Sequence, residues 1–166
     1  RDEAYALYEC TPVQELAAAA DAVRRATVAD PTVVTWQIDR NVNITNVCIS
    51  GCKFCNFHCK PHQTDRAFIT TMEQYCEKID RTLRLGGDQL LLQGGLHPGL
   101  KIDFYERLFS GLKSRYPSLR LHALGAPEVA HIARISGLTT LETLRRLMAA
   151  GLDSLPGAGA EILDSD

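Results

Sequence analysis

Residues 43–55 read Asn-Ile-Thr-Asn-Val-Cys-Ile-Ser-Gly-Cys-Lys-Phe-Cys, and this segment contains three closely spaced cysteines. Within it, Cys48, Cys52 and Cys55 are separated by three and then by two residues. Three thiolates on one tight loop can bind three irons of a cubane [4Fe–4S] cluster, which leaves the fourth iron without a protein ligand. Chemistry at a metal requires such an open position, because a substrate or cofactor must occupy it. The spacing therefore predicts a catalytic iron–sulfur site.

A structural zinc site is the alternative interpretation of the same loop. His58, Cys59 or His62 would then supply a fourth ligand, and the chain would be a zinc-stabilised binding module without catalysis. Zinc sites usually combine two separated pairs of ligands, whereas every candidate here lies in one loop. The spacing of Cys59 still permits a fourth bond, so its role stays open at this point. Cys10 and Cys76 lie on helical segments away from the loop, and we expect both in the core.

Four short segments have the pattern of β-strands. Residues 36–46 alternate between the two faces, with Trp36, Ile38, Val42 and Ile44 pointing the same way. Residues 89–93 form a short apolar run, as expected for a strand buried on both faces of a parallel sheet. The predicted strands are residues 36–46, 89–93, 119–123 and 152–155.

Helical segments alternate with these strands, and capping signals mark where the helices begin. The first helix precedes the sheet, with Thr11 as its N-cap, Pro12 at its first position and Gln14 completing a capping box. The later pairs of capping or helix-opening residues are Thr70 with Glu73, Asp103 with Glu106, and Thr139 with Glu142. In the last of these helices we expect Leu141, Leu144 and Met148 to face inward.

The alternation of strands and helices predicts βαβ units and a parallel sheet, and hence the α/β fold class. About four such units follow the N-terminal helix, whereas a closed eight-stranded barrel needs roughly 200 residues or more. The fold is therefore either a small open sheet or a partial TIM-like (βα) barrel. We expect one domain over residues 1–166, with a helical segment at 1–34 and the first part of a barrel at 35–166, truncated at its C-terminus.

Composition argues against several other classes of protein. Of the 166 residues, 45% are hydrophobic and 23% charged, and the formal net charge is −2. The lack of a basic excess predicts no nucleic-acid partner. No apolar stretch approaches the roughly 20 residues of a membrane-spanning helix, so we expect no membrane partner. The charged N-terminus is not followed by the apolar segment of a signal peptide, which favours a cytoplasmic protein.

Glycine and histidine residues follow the predicted strands at the end where βα-repeat folds gather their function. Gly94 and Gly95 come directly after the second strand, and glycine lets the backbone approach a ligand closely. His97 lies just beyond them, and His122 lies at the end of the third strand. Both histidines are candidates to bind substrate or shuttle protons, the alternative being hydrogen bonds at the rim of the sheet.

Two glutamates near predicted strand ends have more than one explanation. Glu161 follows Gly-Ala-Gly-Ala after the fourth predicted strand and is a candidate to hold ribose hydroxyls. It is equally explained as an acid near a helix start, where the helix dipole favours negative charge. Glu128 follows Pro127, and the dipole explanation is sufficient for it.

The cysteine spacing, with an aromatic residue directly before the last cysteine, resembles the signature of the radical S-adenosylmethionine (SAM) superfamily. The resemblance implies that Cys48, Cys52 and Cys55 bind a [4Fe–4S] cluster and that Phe54 lies beside the adenine of SAM. It also implies that the amino and carboxylate groups of SAM chelate the open iron. An electron from the cluster, supplied by a donor such as flavodoxin or ferredoxin, then cleaves SAM to a 5′-deoxyadenosyl radical.

One departure from the family pattern follows the second strand. Family members often have Gly-Gly-Glu there, and the acid holds the amino group of SAM, but here Leu96 follows Gly94 and Gly95. The resemblance therefore leaves open which group holds the amine. The candidates are the backbone carbonyls of Gly94 and Gly95 and the side-chain amide of Gln93, and His122 is a further candidate to contact the cofactor.

Four phrases, at residues 43–48, 54–59, 91–98 and 155–163, resemble one branch of the superfamily. That branch contains the menaquinone enzymes of the futalosine pathway and the deazaflavin (F0) synthase subunits. The likeness is greatest to the cyclic dehypoxanthinyl futalosine synthase family and implies a substrate like dehypoxanthine futalosine. That reaction needs a base near the substrate ring, and we expect His97 to be that base. The alternatives within the branch are an aminofutalosine synthase and an F0 synthase subunit.

Overall fold

The computed structural model describes residues 2–157 and divides the chain into two units, residues 1–37 and 38–166. The first unit holds helices α1 (Asp2–Cys10) and α2 (Val13–Thr27). Pro12 is the N-cap of α2 and no side chain caps this helix, so the predicted capping box of Thr11 and Gln14 is wrong. Cys10 is exposed, so its predicted place in the core is wrong as well.

The second unit is built on an open, parallel, three-stranded sheet. Its strands are β1 (Asp39–Asn43), β2 (Gln89–Gln93) and β3 (Arg120–Ala123), and β2 lies between the other two. In the register, Val42 of β1 lies opposite Leu92 of β2, which lies opposite Ala123 of β3. The described residues thus form an α/β arrangement that is consistent with part of a TIM-like fold.

Helices connect the strands and continue beyond the sheet. Helix α3 (Met72–Arg84) joins β1 to β2, and α4 (Ile102–Arg115) joins β2 to β3. Helices α5 (Ala126–Ser136) and α6 (Thr140–Ala149) follow β3. Parallel neighbours need such crossover connections, so the alternation read from the sequence produces this topology.

Three of the four predicted strands are shorter in the structure or absent from it, although β3 differs only in beginning at Arg120 instead of Leu119. Only residues 39–43 of the segment 36–46 pair with β2, because the chain after Asn43 turns aside: Thr45 pairs with Ile69 and Val47 with Cys59. The segment 152–155 contributes one isolated parallel bridge, between Ser154 and His122, and no strand of its own. The described sheet therefore has three strands where the sequence predicted four.

The capping residues are partly those predicted. Thr139 and Glu142 form a reciprocal capping box at α6, as expected. At α3 the box is formed by Thr71 and Gln74 instead of Thr70 and Glu73. The hydroxyl of Thr70 is already engaged, since it donates to the carbonyl of Asn43 at 2.6 Å.

The core of this unit lies between the sheet and the inner faces of its helices. Its largest fully buried side chains are Ile44, Tyr75, Ile79, Leu90, Leu92, Phe109, Leu112, Leu119, Leu121, Leu124, Ile132 and Leu147. Helix α6 turns Thr143 and Leu147 inward, so Leu141 and Met148 are exposed, contrary to expectation. Cys76 is only half-buried and accepts a hydrogen bond from Arg115 at 3.2 Å, so it is not a core residue either.

The helices of the described residues are short and carry charged side chains. None of those between residues 2 and 157 has both the length and the apolar character needed to cross a membrane. The longest of them, α2, has 15 residues and includes Glu15, Asp21, Arg24 and Arg25.

Candidate functional site

A cavity of about 260 Å³ lies beside the end of β2. Three segments line it: the cysteine loop, the residues after β2, and the start of α5. Its lining residues are Cys48, Ser50, Cys52, Phe54, Cys55, Phe57, His58, Gly94, Gly95, Leu96, Pro127 and Glu128. The fold thus brings the three predicted cysteine ligands to one cavity, together with Phe54 and both predicted glycines.

Cys59 holds the loop through its backbone. Its carbonyl accepts a hydrogen bond from the N–H of Cys48 at 3.0 Å, and its own N–H donates to the carbonyl of Asn46 at 2.8 Å. The Cys59 side chain is fully buried and is not among the residues that line the cavity. The structure therefore gives Cys59 a role in closing the loop and places its thiol apart from the other three.

The donor set of the loop fits a cubane cluster. The N–H of Ser50 donates to the Cys48 sulfur at 3.4 Å, and the Ser50 hydroxyl lies 3.2 Å from the Cys52 sulfur. Hydrogen-bond donors of this kind stabilise cluster-bound sulfur. Within residues 2–157, no three His, Cys, Asp or Glu side chains are close enough to bind a single metal ion. Each thiolate of a cubane binds a separate iron, so the cysteines need only share the cavity.

Gly94 and Gly95 pack against the chain that leads into the cysteine loop. A Cβ atom at Gly95 would overlap the carbonyl of Val47 and lie 2.8 Å from the Cβ of Cys48. A Cβ at Gly94 would lie 3.0 Å from the carbonyl oxygen of Thr45. The N–H of Gly95 donates to that same oxygen at 2.8 Å. The two glycines therefore allow the end of β2 to position Cys48, a function that the sequence did not reveal.

Phe54 and His58 complete the loop side of the cavity. The Phe54 side chain is 91% exposed although it lines the cavity, so its ring is free to contact a bound molecule. The Nδ1 atom of His58 lies 2.6 Å from the carbonyl oxygen of Cys55, and this contact braces the last cysteine of the loop.

The two histidines singled out in the sequence lie away from the cavity lining. The N–H of Gly99 donates to Nδ1 of His97 at 3.0 Å, and Nε2 of His131 lies 2.9 Å from the His97 carbonyl oxygen. Burial and then the nearby His131 lower the pKa of His97. His122 instead contacts the Ser154 hydroxyl through Nδ1, at 2.7 Å.

Gln93 and Glu161 are the two remaining predicted site residues, and only Gln93 lies within the described part of the chain. Gln93 is the last residue of β2, and its backbone carbonyl accepts a hydrogen bond from the N–H of Ile44 at 2.7 Å. It is not among the residues that line the cavity. Glu161 lies outside the described residues.

Glu128 lines the cavity, although the sequence offered no reason beyond the helix dipole for an acid at this position. It lies in the first turn of α5 and faces the same cavity as the cysteines. Burial raises the pKa of Glu128, while hydrogen bonds from the backbone N–H groups of Glu128 itself, Gly94 and Gly125 act in the opposite direction. The available signal was its position in the first turn of the helix that follows the third strand, at the edge where the other site residues gather.

Sequence comparison agrees with the class of protein that this fold and cavity define. The model of the Radical SAM superfamily matches residues 42–162, a range that includes all three cavity cysteines. The chain belongs to the radical SAM superfamily. Members of this superfamily use a [4Fe–4S] cluster and SAM. The cofactors of this enzyme are therefore a [4Fe–4S] cluster and SAM.

Three individual relatives share more than a third of their aligned residues with this chain. A cyclic dehypoxanthine futalosine synthase of Streptomyces coelicolor is 45% identical over 98% of this chain, and one of Halalkalibacterium halodurans is 39% identical over 99%. A 5-amino-6-(D-ribitylamino)uracil–L-tyrosine 4-hydroxyphenyl transferase of Methanococcoides burtonii is 38% identical over 98%. The chain spans 41%, 44% and 44% of the lengths of these relatives, respectively. The resemblance drawn from the cysteine spacing and the four phrases is thereby confirmed.

Proposed function

We propose that the intact protein is a radical SAM cyclase of menaquinone biosynthesis that converts dehypoxanthine futalosine to cyclic dehypoxanthine futalosine. The 45% identity to the Streptomyces coelicolor synthase, over 98% of the chain, is the observation that carries this proposal. Identity to the archaeal transferase is lower, at 38%, over the same share of the chain. The cysteine cavity supports the same class of chemistry, because it brings three thiols to one open site.

The cavity residues have distinct roles in this proposal. Cys48, Cys52 and Cys55 hold the cluster, and the exposed ring of Phe54 packs against the adenine of SAM. When bound, the cluster and SAM supply a 5′-deoxyadenosyl radical that abstracts a hydrogen atom from the substrate. Gly94 and Gly95 let the end of β2 lie against the loop and present backbone groups to the cofactor.

His97 is the proposed acceptor of the proton that the substrate ring loses after cyclisation. Its lowered pKa favours the neutral ring, as a base requires. In the described geometry Gly99 donates to Nδ1, which places the proton of the neutral ring on Nε2. Nδ1 therefore accepts a proton from the substrate only after the bond to Gly99 opens.

The other predicted residues and partners keep supporting roles in this proposal. Gln93 and His122 contact the cofactor, Glu161 acts in the substrate site, and flavodoxin or ferredoxin supplies the electron. Gln93 ends β2, His97 follows it, and His122 lies one residue before the end of β3. We place the reaction in the cytoplasm, where such electron donors are found.

Product analysis of the intact protein tests the assignment. The protein is reconstituted anaerobically with iron and sulfide and is then supplied with SAM, dehypoxanthine futalosine and a reductant such as dithionite. Its products are identified by mass spectrometry. Cyclic dehypoxanthine futalosine and 5′-deoxyadenosine are expected together. With His97→Gln, 5′-deoxyadenosine should still form while the cyclic product is lost. A cyclic product formed at the wild-type rate by this variant would rule out His97 as the base.

The transferase relative supplies the second candidate function. Its identity of 38% over 98% of the chain favours a reaction between L-tyrosine and 5-amino-6-(D-ribitylamino)uracil, which is what that relative's name states. The F0 synthase and aminofutalosine synthase alternatives are separated from the cyclase in the same assay by supplying each substrate in turn. A product from tyrosine, with none from dehypoxanthine futalosine, would replace the cyclase proposal.

A further inference from the structure

Glu128 brings a carboxyl group into the wall of the cysteine cavity. It lines this cavity together with Gly94, Gly95 and the three thiols, although it comes from a different βα unit. The backbone N–H groups of Gly94 and Gly125 lie close enough to the carboxyl to lower its pKa, which places the carboxyl near the end of β2. Glu128 is therefore a half-buried acid in the wall of the space that the three cysteines share.

This carboxyl has no cationic partner in the described part of the chain. Burial raises its pKa, and the groups that act against burial are backbone N–H groups, with no lysine, arginine or histidine among them in residues 2–157. Tyr105 also experiences the charge, since burial and then Glu128 raise the pKa of its hydroxyl. A half-buried carboxylate costs free energy unless a cation or further donors satisfy it. The cavity is thus complementary to a ligand that brings positive charge and N–H groups.

SAM meets this requirement, because its sulfonium supplies the positive charge and its amino group keeps two N–H donors even when the nitrogen lone pair binds the open iron. Its sulfonium has no hydrogen to donate, whereas the amino group of its methionine part offers N–H donors that a carboxylate accepts. Leu96, the residue after Gly95, lines the same cavity but has no side-chain acceptor. We propose that Glu128 binds the amino group of SAM, so that the end of β3 supplies the acceptor that is missing after β2.

A purely structural role for Glu128 predicts a different behaviour on substitution. In Glu128→Gln the side-chain amide oxygen can still accept from the N–H of Gly94, so a tether between α5 and β2 survives, but the negative charge is removed. Glu77→Gln is the matched control, because Glu77 is exposed on α3 and loses the same charge outside the cavity. Thermal unfolding of both variants verifies that they are folded.

The decisive experiment measures ligand binding by the intact, cluster-loaded protein under anaerobic conditions. Equilibrium dialysis gives the Kd of SAM, of S-adenosylhomocysteine, which lacks the sulfonium charge, and of methylthioadenosine, which lacks the amino acid part. Glu128→Gln should raise the Kd of SAM and of S-adenosylhomocysteine by about 10- to 100-fold, the range expected for losing hydrogen bonds to a charged group. Methylthioadenosine should bind the variant as it binds the wild type. Glu77→Gln should leave all three affinities unchanged.

The paramagnetic resonance spectrum of the reduced cluster provides a second readout. SAM changes this spectrum when it binds next to the cluster, and Glu128→Gln should need correspondingly more SAM for the same change. Three outcomes would overturn the proposal. The first is an unchanged Kd of SAM. The second is a raised Kd of SAM with the Kd of S-adenosylhomocysteine unchanged, and the third is an equal rise in the Kd of all three ligands.

The inference rests on the proposed function only in that SAM is the cofactor held in this cavity. Neither readout involves the second substrate, so a failed cyclase assay would leave the result on Glu128 unaffected. Conversely, a wild-type enzyme that makes the cyclic product would retain its assigned reaction even if Glu128→Gln bound SAM normally.

Discussion

Cys59 differs from its three neighbours in the loop because its thiol is buried away from the cavity. We expect Cys52→Ala to bind far less than the four irons of a complete cluster, since one corner loses its thiolate. Cys59→Ala should retain the iron and lose about 1 kcal/mol of unfolding free energy, because it removes a small buried group. Iron and acid-labile sulfide analysis after anaerobic reconstitution measures both. Equal loss of iron from the two variants would show that Cys59 is a ligand.

Gly95 acts through the space that it leaves for the cysteine loop. Gly95→Ala would place a Cβ against the Val47 carbonyl, and the loop must move to admit it. We expect this variant to bind less cluster and to lose about 1–3 kcal/mol of stability, as is typical for an overpacked site. Gly99→Ala is the control, because its Cβ would make only an ordinary contact with His97, 3.5 Å away. If both variants load the cluster equally, Gly95 does not position Cys48.

Among the elements, α6 depends on a complete capping box. The Thr139 hydroxyl accepts from the N–H of Glu142 at 3.2 Å and donates to its carboxylate at 2.7 Å. Thr139→Ala should therefore cost about 1 kcal/mol of unfolding free energy, the usual effect of losing an N-cap. Thr140→Ala makes the same chemical change at the next, exposed position and should cost much less. Urea unfolding of the two variants compares these costs, and equal costs would argue against the cap.

The elements also differ in how well the sequence predicted them. β2 was predicted to the residue, because its apolar run ends where the glycines begin. The expected burial of both faces is wrong, since Leu90 and Leu92 are buried while Leu91 on the other face stays partly exposed. The outer segments 36–46 and 152–155 were predicted too long, because an alternating pattern does not reveal how many residues have a partner strand. The α3 cap was displaced by one residue, since Thr70 and Thr71 both fit the pattern and only the fold engages Thr70 with Asn43.

The part of the candidate site that could be predicted consists of residues whose spacing along the chain is itself the signal. The three cysteines, Phe54 and the glycine pair could be recognised locally, and the fold brings them to one cavity. Glu128 could not be recognised in this way, because an acid near a helix start already has a sufficient local explanation. Its relation to Gly94 depends on the approach of two βα units, which no local pattern specifies.

At the scale of the whole sheet-based unit, the two walls of the site differ in how much regular hydrogen bonding holds them. β2 is paired on both sides, and Leu90 and Leu92 are fully buried. The loop beside it is different: residues 51–57 belong to no helix or strand and contain only one turn, at residues 53–54. Amides with such different protection open with very different free energies. The framework of the site is therefore fixed, while the ligand-bearing loop depends on what it binds.

Hydrogen exchange of the intact protein tests this division between framework and loop. In protein prepared without iron, amides of residues 51–57 should exchange rapidly, whereas those of β2 should be the slowest in the unit. Loading the cluster and SAM should slow exchange in the loop by about tenfold or more and leave β2 unchanged, because ligation fixes the cysteines and their neighbours. Peptides from α2 provide an internal control and should not change. If the loop is already as protected as β2 before iron is added, the loop is ordered by the fold alone and this account of the site is wrong.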